Sequence, residues 1–160
     1  MSAPGGGGDQ RLQQMAAQKE EIDQVIEALR NQVERMRAEQ SDIEDAVDAI
    51  ADLENGDTVQ VPVGGDAYVR AAIEDIDAVI VGLGGGYSAE RDQDEAVEVL
   101  EAKAERLQEQ IDEATDAIAD LEAQGEEISA QAQQEYAELA ARQQQQAGGG
   151  PGEPDLGGDA

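Results

Sequence analysis

Ala78-Val79-Ile80-Val81-Gly82-Leu83-Gly84-Gly85-Gly86-Tyr87-Ser88-Ala89-Glu90 is the stretch whose reading decides the fold of this chain. A short apolar run, three glycines and a returning segment read as a β-hairpin with a glycine turn. Just before it, Thr58 to Val63 alternates with Val59, Val61 and Val63 on one face; Gly64-Gly65-Asp66 turns the chain and Ala67 to Ile73 returns. That is a first hairpin, with Pro62 suited to an edge. In the second hairpin Val79, Ile80, Val81 and Leu83 are apolar on both faces. Four short strands of one chain cannot cover both faces of such a sheet, and open apolar edges invite pairing with other chains. The economical expectation is a sheet completed by other subunits.

Outward from the hairpins the period changes from two to three and a half. Steps of three and four residues from Leu12 land on Met15, Lys19, Ile22, Ile26, Leu29, Val33, Met36, Gln40, Ile43, Val47 and Ile50, and ten of these twelve positions are apolar. A repeat held that long is a coiled-coil seam rather than one face of a globular helix. Asn55-Gly56 supplies a stop signal, since glycine can take the left-handed conformation. A second seam begins after Asp92, whose spacing to Glu95 suits a capping box, and runs through Val97, Leu100, Ala104, Leu107, Ile111, Ala114, Ile118, Leu121, Gly125, Ile128, Ala132, Glu135 and Leu139. Gly125 weakens a helix by about 1 kcal/mol relative to Ala, so the coil is expected to be looser there. Two helices of similar length with a connector of this size pair antiparallel, which brings the ends near Leu12 and Leu139 together. The expected layout is a tail over residues 1–11, a folded region over 12–142 (helix 12–55, hairpins 57–91, helix 92–142) and a Gln/Gly/Pro tail over 143–160. Both tails are too poor in apolar residues to offset the entropy of ordering, and are expected to be disordered.

Composition narrows the function. The 160 residues contain no Phe, no Trp and three Tyr, which does not fill a thick globular core. Formal charge is −28, from 38 Asp and Glu against 10 Lys and Arg. No basic footprint exists to release counterions from nucleic acid, so nucleic acid is not an expected partner. The apolar period continues through the acidic stretches, so the acid is surface charge on a folded protein. That excess, with only Lys19 and Lys103 as lysines, suits a salt-rich cytoplasm in which ions screen self-repulsion. Cysteine and histidine are absent, which removes disulfides, thiolate sites and His-based acid–base chemistry. Met1 to Gly8 lack a basic, apolar leader pattern, and nowhere do 18 apolar residues follow one another; a cytoplasmic protein without a membrane segment is expected.

Gly82-Leu83-Gly84-Gly85-Gly86 could suggest a phosphate loop, but the last glycine of a dinucleotide pattern would fall on Tyr87 and the P-loop ending is missing. The glycines fit a tight turn instead. Carboxylate clusters such as Glu74-Asp75-Ile76-Asp77 and Glu126-Glu127 are expected by chance among so many acids, and no calcium-loop spacing occurs. No catalytic residue, metal ligand or cofactor is therefore expected, and the chain is not read as an enzyme. Lys19, Gln40 and Gly125 interrupt the seams as register devices, as signs of a loosened tip or as tolerated defects. Leu12, Met15, Ala16, Ile22, Tyr136 and Leu139 near the free ends either close the seam or offer an apolar surface to other proteins.

Helix, two hairpins and helix, with Val59-Gln60-Val61-Pro62-Val63, Ala67-Tyr68-Val69-Arg70-Ala71 and Val81-Gly82-Leu83-Gly84-Gly85-Gly86-Tyr87-Ser88-Ala89-Glu90-Arg91, closely resembles the archaeal prefoldin α subunit over roughly residues 12–142. The second hairpin is the most specific part, since β-type subunits of that family carry one. The resemblance implies an α+β fold: a long antiparallel coiled coil with two β-hairpins at the connecting end, completed as a β-barrel platform in a hexamer of two α and four β subunits. It implies an ATP-independent holdase whose coil tips capture unfolded client proteins and pass them to a group II chaperonin. On this chain the platform falls to Val59, Val61, Val63, Val69, Ile73, Val79, Ile80, Val81, Leu83 and Tyr87. The client-binding tips fall to the six residues named above. The alternative function is a structural scaffold or tether that uses the same coils as spacers and binds no client; paired hairpins favour the holdase, because a tether needs no platform.

Overall fold

Two helices flank two β-hairpins in the computed structural model, which describes residues 6–148. Helix α1 spans Gly6–Asp52, strands β1 to β4 span Thr58–Gly64, Ala67–Ala72, Val79–Gly84 and Tyr87–Arg91, and helix α2 spans Gln93–Gly148. The α+β class and both hairpins are as read from the sequence. The helix limits differ. Residues 6–11 and 143–148 are helical where tails were expected, while residues 1–5 and 149–160 of those tails lie outside the described residues. At the N-terminal end the reason is close approach: a Cβ built on Gly8 would fall 2.6 Å from Leu139 Cδ2, so the glycine admits the leucine against the helix backbone. At the other end Gln143 to Gln146 are good helix formers once a preceding helix nucleates them. Conversely, α1 stops at Asp52, short of Asn55. Asp57 Oδ2 accepts from the Glu54 amide at 2.8 Å, and Gly56 with φ of 87° turns the chain into β1.

The chain forms two compact units, one of them Asn31–Thr115. Its core joins Val33, Met36 and Ile43 of α1 to Ala96, Leu107, Ile111 and Ala114 of α2, with Val81 of β3 also buried. The helices in this unit run antiparallel: Gln40 meets Gln108, whereas the later carbonyls of Ile50 and Leu53 meet the earlier Gln93. Asp92 caps α2 with Oδ1 on the Glu95 amide at 2.8 Å. The hairpins are separate antiparallel pairs, β1 with β2 and β3 with β4. Val61 faces Val69 in the first and Val81 faces Ala89 in the second. Each register shifts just before its turn, between Pro62 and Gly64 and between Gly82 and Gly84, which places Pro62 beside a bulge. Both two-residue turns, Gly65-Asp66 and Gly85-Gly86, have positive φ throughout, the feature of primed hairpin turns.

The described part of the other unit comprises residues 6–30 and 116–148. It is also antiparallel, with Arg11 paired to Glu135 at 3.9 Å and Arg30 to Glu122. Among its described residues Ile26 and Gly125 are buried, while Leu12, Met15, Ile22, Ile128, Ala132 and Leu139 are half-buried along the seam.

Candidate binding groove and assembly surface

In the unit of residues 6–30 and 116–148, seam positions filled by small or thin side chains leave an open apolar groove of about 410 Å³. Leu12, Met15, Ala16 and Lys19 line one side; Ile128, Ser129, Ala132, Gln133 and Tyr136 line the other. No carboxylate is among these nine, in a chain with 38 acids. Of the six tip residues read from the sequence, Leu12, Met15, Ala16 and Tyr136 come together here. Ile22 and Leu139 do not line it: Ile22 lies on the seam towards Gly125, and Leu139 packs on Gly8. Tyr136 is 69% exposed. Ile128 and Ala132, seam positions by their period, also line the groove as walls; helix period gives the face but not its openness. Lys19 Nζ lies 3.5 Å from both carboxylate oxygens of Asp23.

In the unit Asn31–Thr115 the hairpins present a different surface. Val61, Val63, Val69, Ile80, Leu83 and Tyr87 are exposed, as is Tyr68, which is not among the expected platform residues. Ile80 and Tyr87 reach 75% and 77% exposure. The remaining residues assigned to a platform are less available. Val59, Ile73 and Val79 are half-buried and Val81 is only 4% exposed. Val81, expected from the sequence at the assembly surface, is thus buried within its own unit. The cause is alternation: along β3, Val79 and Val81 share the inward face with their partners Arg91 and Ala89, and Ile80 takes the outward one. Leu83, past the register shift, lines a groove of about 600 Å³ with Val99, Ala102 and Leu107 of α2.

The polar clusters have structural work. Asp75 Oδ1 accepts from the Asp77 amide at 3.0 Å and Asp77 Oδ1 from the Gln93 amide at 3.4 Å, so this acidic cluster turns the chain from the first hairpin towards the second. Asn55 Oδ1 accepts from the Ile76 amide at 2.7 Å and fastens the same turn. Gly84, Gly85 and Gly86 take φ of 92°, 62° and 81°, and turn one strand into its antiparallel partner. Gln93 was unforeseen. Its Nε2 donates to the carbonyls of Ile50 at 2.7 Å and Leu53 at 2.9 Å, and so caps the C-terminus of α1 from the first turn of α2. Among the described residues no helix is long and apolar enough to cross a membrane.

The comparisons with known proteins agree with this geometry. Residues 9–138 match the family model described as Prefoldin subunit. The chain is 49% identical over 116 residues to the prefoldin subunit alpha of Haloarcula marismortui, covering 72% of this chain and 75% of that one. It is 28% identical over 135 residues to that of Methanobrevibacter smithii, covering 79% and 92%. Among solved structures it is similar to a chain of filamentous PFD from Methanocaldococcus jannaschii, with 30% identity and a TM-score of 0.63 over 71% of this chain and 97% of that one. With two hairpins between its helices and α subunits of salt-loving archaea among its relatives, the chain belongs to the prefoldin family of chaperones, as an α-type subunit.

Proposed function

We propose that this subunit acts as a nucleotide-independent holdase in the cytoplasm, gripping apolar segments of non-native proteins in the groove of Leu12, Met15, Ala16, Ile128, Ala132 and Tyr136. The hairpins, by their exposed Ile80, Leu83, Tyr87, Val61 and Val69, join it to β-type subunits in a complex of two α and four β chains. Captured proteins pass to a group II chaperonin. The observation that carries the reading is an acid-free apolar groove on a chain of charge −28. Burying apolar client surface there yields about 25 cal/mol per Å², which is weak for one coil. Several coils acting on one client multiply the effect through effective concentration. No reaction chemistry enters, and catalysis is not part of the proposal. The test uses the co-assembled complex in molar KCl without nucleotide, measuring suppression of aggregation of a chemically unfolded, salt-tolerant client. Ala16→Ser combined with Tyr136→Ser, both at exposed positions, is expected to weaken suppression several-fold with assembly unchanged; full suppression by that variant speaks against the groove. A wild-type complex that assembles yet never suppresses aggregation favours the scaffold.

A further inference from the structure

Lys19 is the one charged residue that lines the apolar groove, and it stands at a seam position where an apolar side chain is the rule. Opposite it Gly125 offers no side chain; a Cβ there would come 3.9 Å from Lys19 Nζ, an ordinary contact, so the lysine's ammonium lies across the seam beside Gly125. The aliphatic stem continues the apolar wall and carries the ammonium to Asp23, the side chain as a whole being 41% exposed. Its partner, Asp23, is an exposed residue one turn along the same helix, 3.5 Å away. Such a pair is weak and leaves the ammonium free to take a second carboxylate.

We propose, building on the holdase reading, that the groove selects apolar segments that carry a carboxylate at one end, with Lys19 as the specificity-determining residue. Charge complementarity supports this occupant. A chain of −28 repels acidic segments at long range, but at molar salt the screening length is about 3 Å and only contacts count. At the contact itself the lining offers one cation and no anion. A segment ending in a base meets like charge at the same place, and is disfavoured.

The experiment uses the full chain assembled with a β-type subunit, in molar KCl, and two labelled peptides with one Leu/Val/Ala core, one ending in paired glutamates and the other in paired lysines. Fluorescence anisotropy should show the acid-ended peptide bound about two- to fivefold more tightly, the scale of an exposed charge pair. Lys19→Met should bring the ratio to about one, and Lys19→Glu should invert it. Both variants keep the seam, which circular dichroism checks. If Met15→Ser weakens both peptides but Lys19→Met leaves the ratio unchanged, the groove reading stands and the selectivity proposal falls. If Met15→Ser changes neither, both fall. A groove that binds neither peptide until residues 149–160 are removed also overturns the proposal, since the chain's own acidic tail would then be the occupant.

Discussion

Gln40 donates its side-chain amide from α1 to Gln108 Oε1 of α2 at 2.9 Å, and also reaches the Ala104 carbonyl at 3.3 Å. A polar residue at a seam position fixes register at some cost in stability, because any slip leaves its amide unpaired. Gln40→Leu should therefore raise the melting temperature by a few degrees while loosening the register. Spin labels at the exposed positions Glu34 and Glu113 would then give a broadened distance distribution. A single narrow distance with an unchanged melting temperature would show that Gln40 has no such role.

Gln93 closes the carbonyls that end α1. Gln93→Ala leaves part-buried acceptors without a donor and should cost about 1–3 kcal/mol. Gln93→Glu should cost more, since a carboxylate would face those carbonyls. Denaturant unfolding in molar KCl measures both, and equal stability of all three proteins would contradict the cap.

Gly125 is a site for gain. A Cβ there would stand 3.7 Å from Ile22 Cγ2, an ordinary contact, and helix propensity favours Ala by about 1 kcal/mol. Gly125→Ala should raise stability by about that amount. At Gly8 the same change drives a Cβ to 2.6 Å from Leu139 Cδ2, so Leu139 must move and the gain should vanish. Equal gains at both positions would count against close packing at Gly8.

Assembly is separable from folding on the second hairpin. Ile80→Asp, at an outward position, should stop association with β-type subunits while helix content stays intact. Val81→Asp, at a buried position, should lower thermal stability as well. Light scattering after size-exclusion chromatography, paired with circular dichroism, distinguishes the two. An unchanged complex mass for Ile80→Asp would remove the hairpin from the interface.

These contrasts mark how far the sequence could be read. Every seam position from Leu12 to Ile50 and from Val97 to Leu139 lies off the fully exposed surface, because a period of three and a half is a local property of the chain. The hairpins were legible for the same reason, through Gly65-Asp66 and Gly85-Gly86. Val81 and Ile80 were not told apart: both are apolar neighbours, and which one faces inward depends on how the hairpin sits on the helices of its own unit. Gln93 reads as an ordinary first-turn residue until the end of α1 is placed beside it. In the groove, Leu12, Met15, Ala16 and Tyr136 were legible as apolar, whereas Lys19 as a wall depends on how its side chain lies across the seam beside Gly125.

The acid excess bears on the coil directly. Leu12 to Leu53 holds 11 acids and 4 bases, and Asp94 to Arg142 holds 15 and 3, so the paired helices repel. Of the ion pairs that join them, Arg30 with Glu122 and Lys103 with Glu39 are exposed and worth at most about 1 kcal/mol each, while Arg11 reaches the half-buried Glu135 only at 3.9 Å. Screening lengths fall from about 10 Å at 0.1 M salt to about 3 Å at 1 M. Helicity by circular dichroism should accordingly grow with KCl towards molar salt, and a full helical signal with cooperative melting at low salt would contradict this.

The most direct test of the account removes the groove and spares the hairpins. A chain trimmed to residues 23–131 lacks Leu12, Met15, Ala16, Ile22, Tyr136 and Leu139 but retains β1 to β4 and the core of the unit Asn31–Thr115. Co-expressed with β-type subunits, it should give a complex of the expected stoichiometry by native mass spectrometry. That complex should lose most of its suppression of client aggregation in molar KCl, by about 10² or more if every trimmed coil had contributed. Suppression undiminished in a correctly assembled trimmed complex would contradict capture by the coil ends.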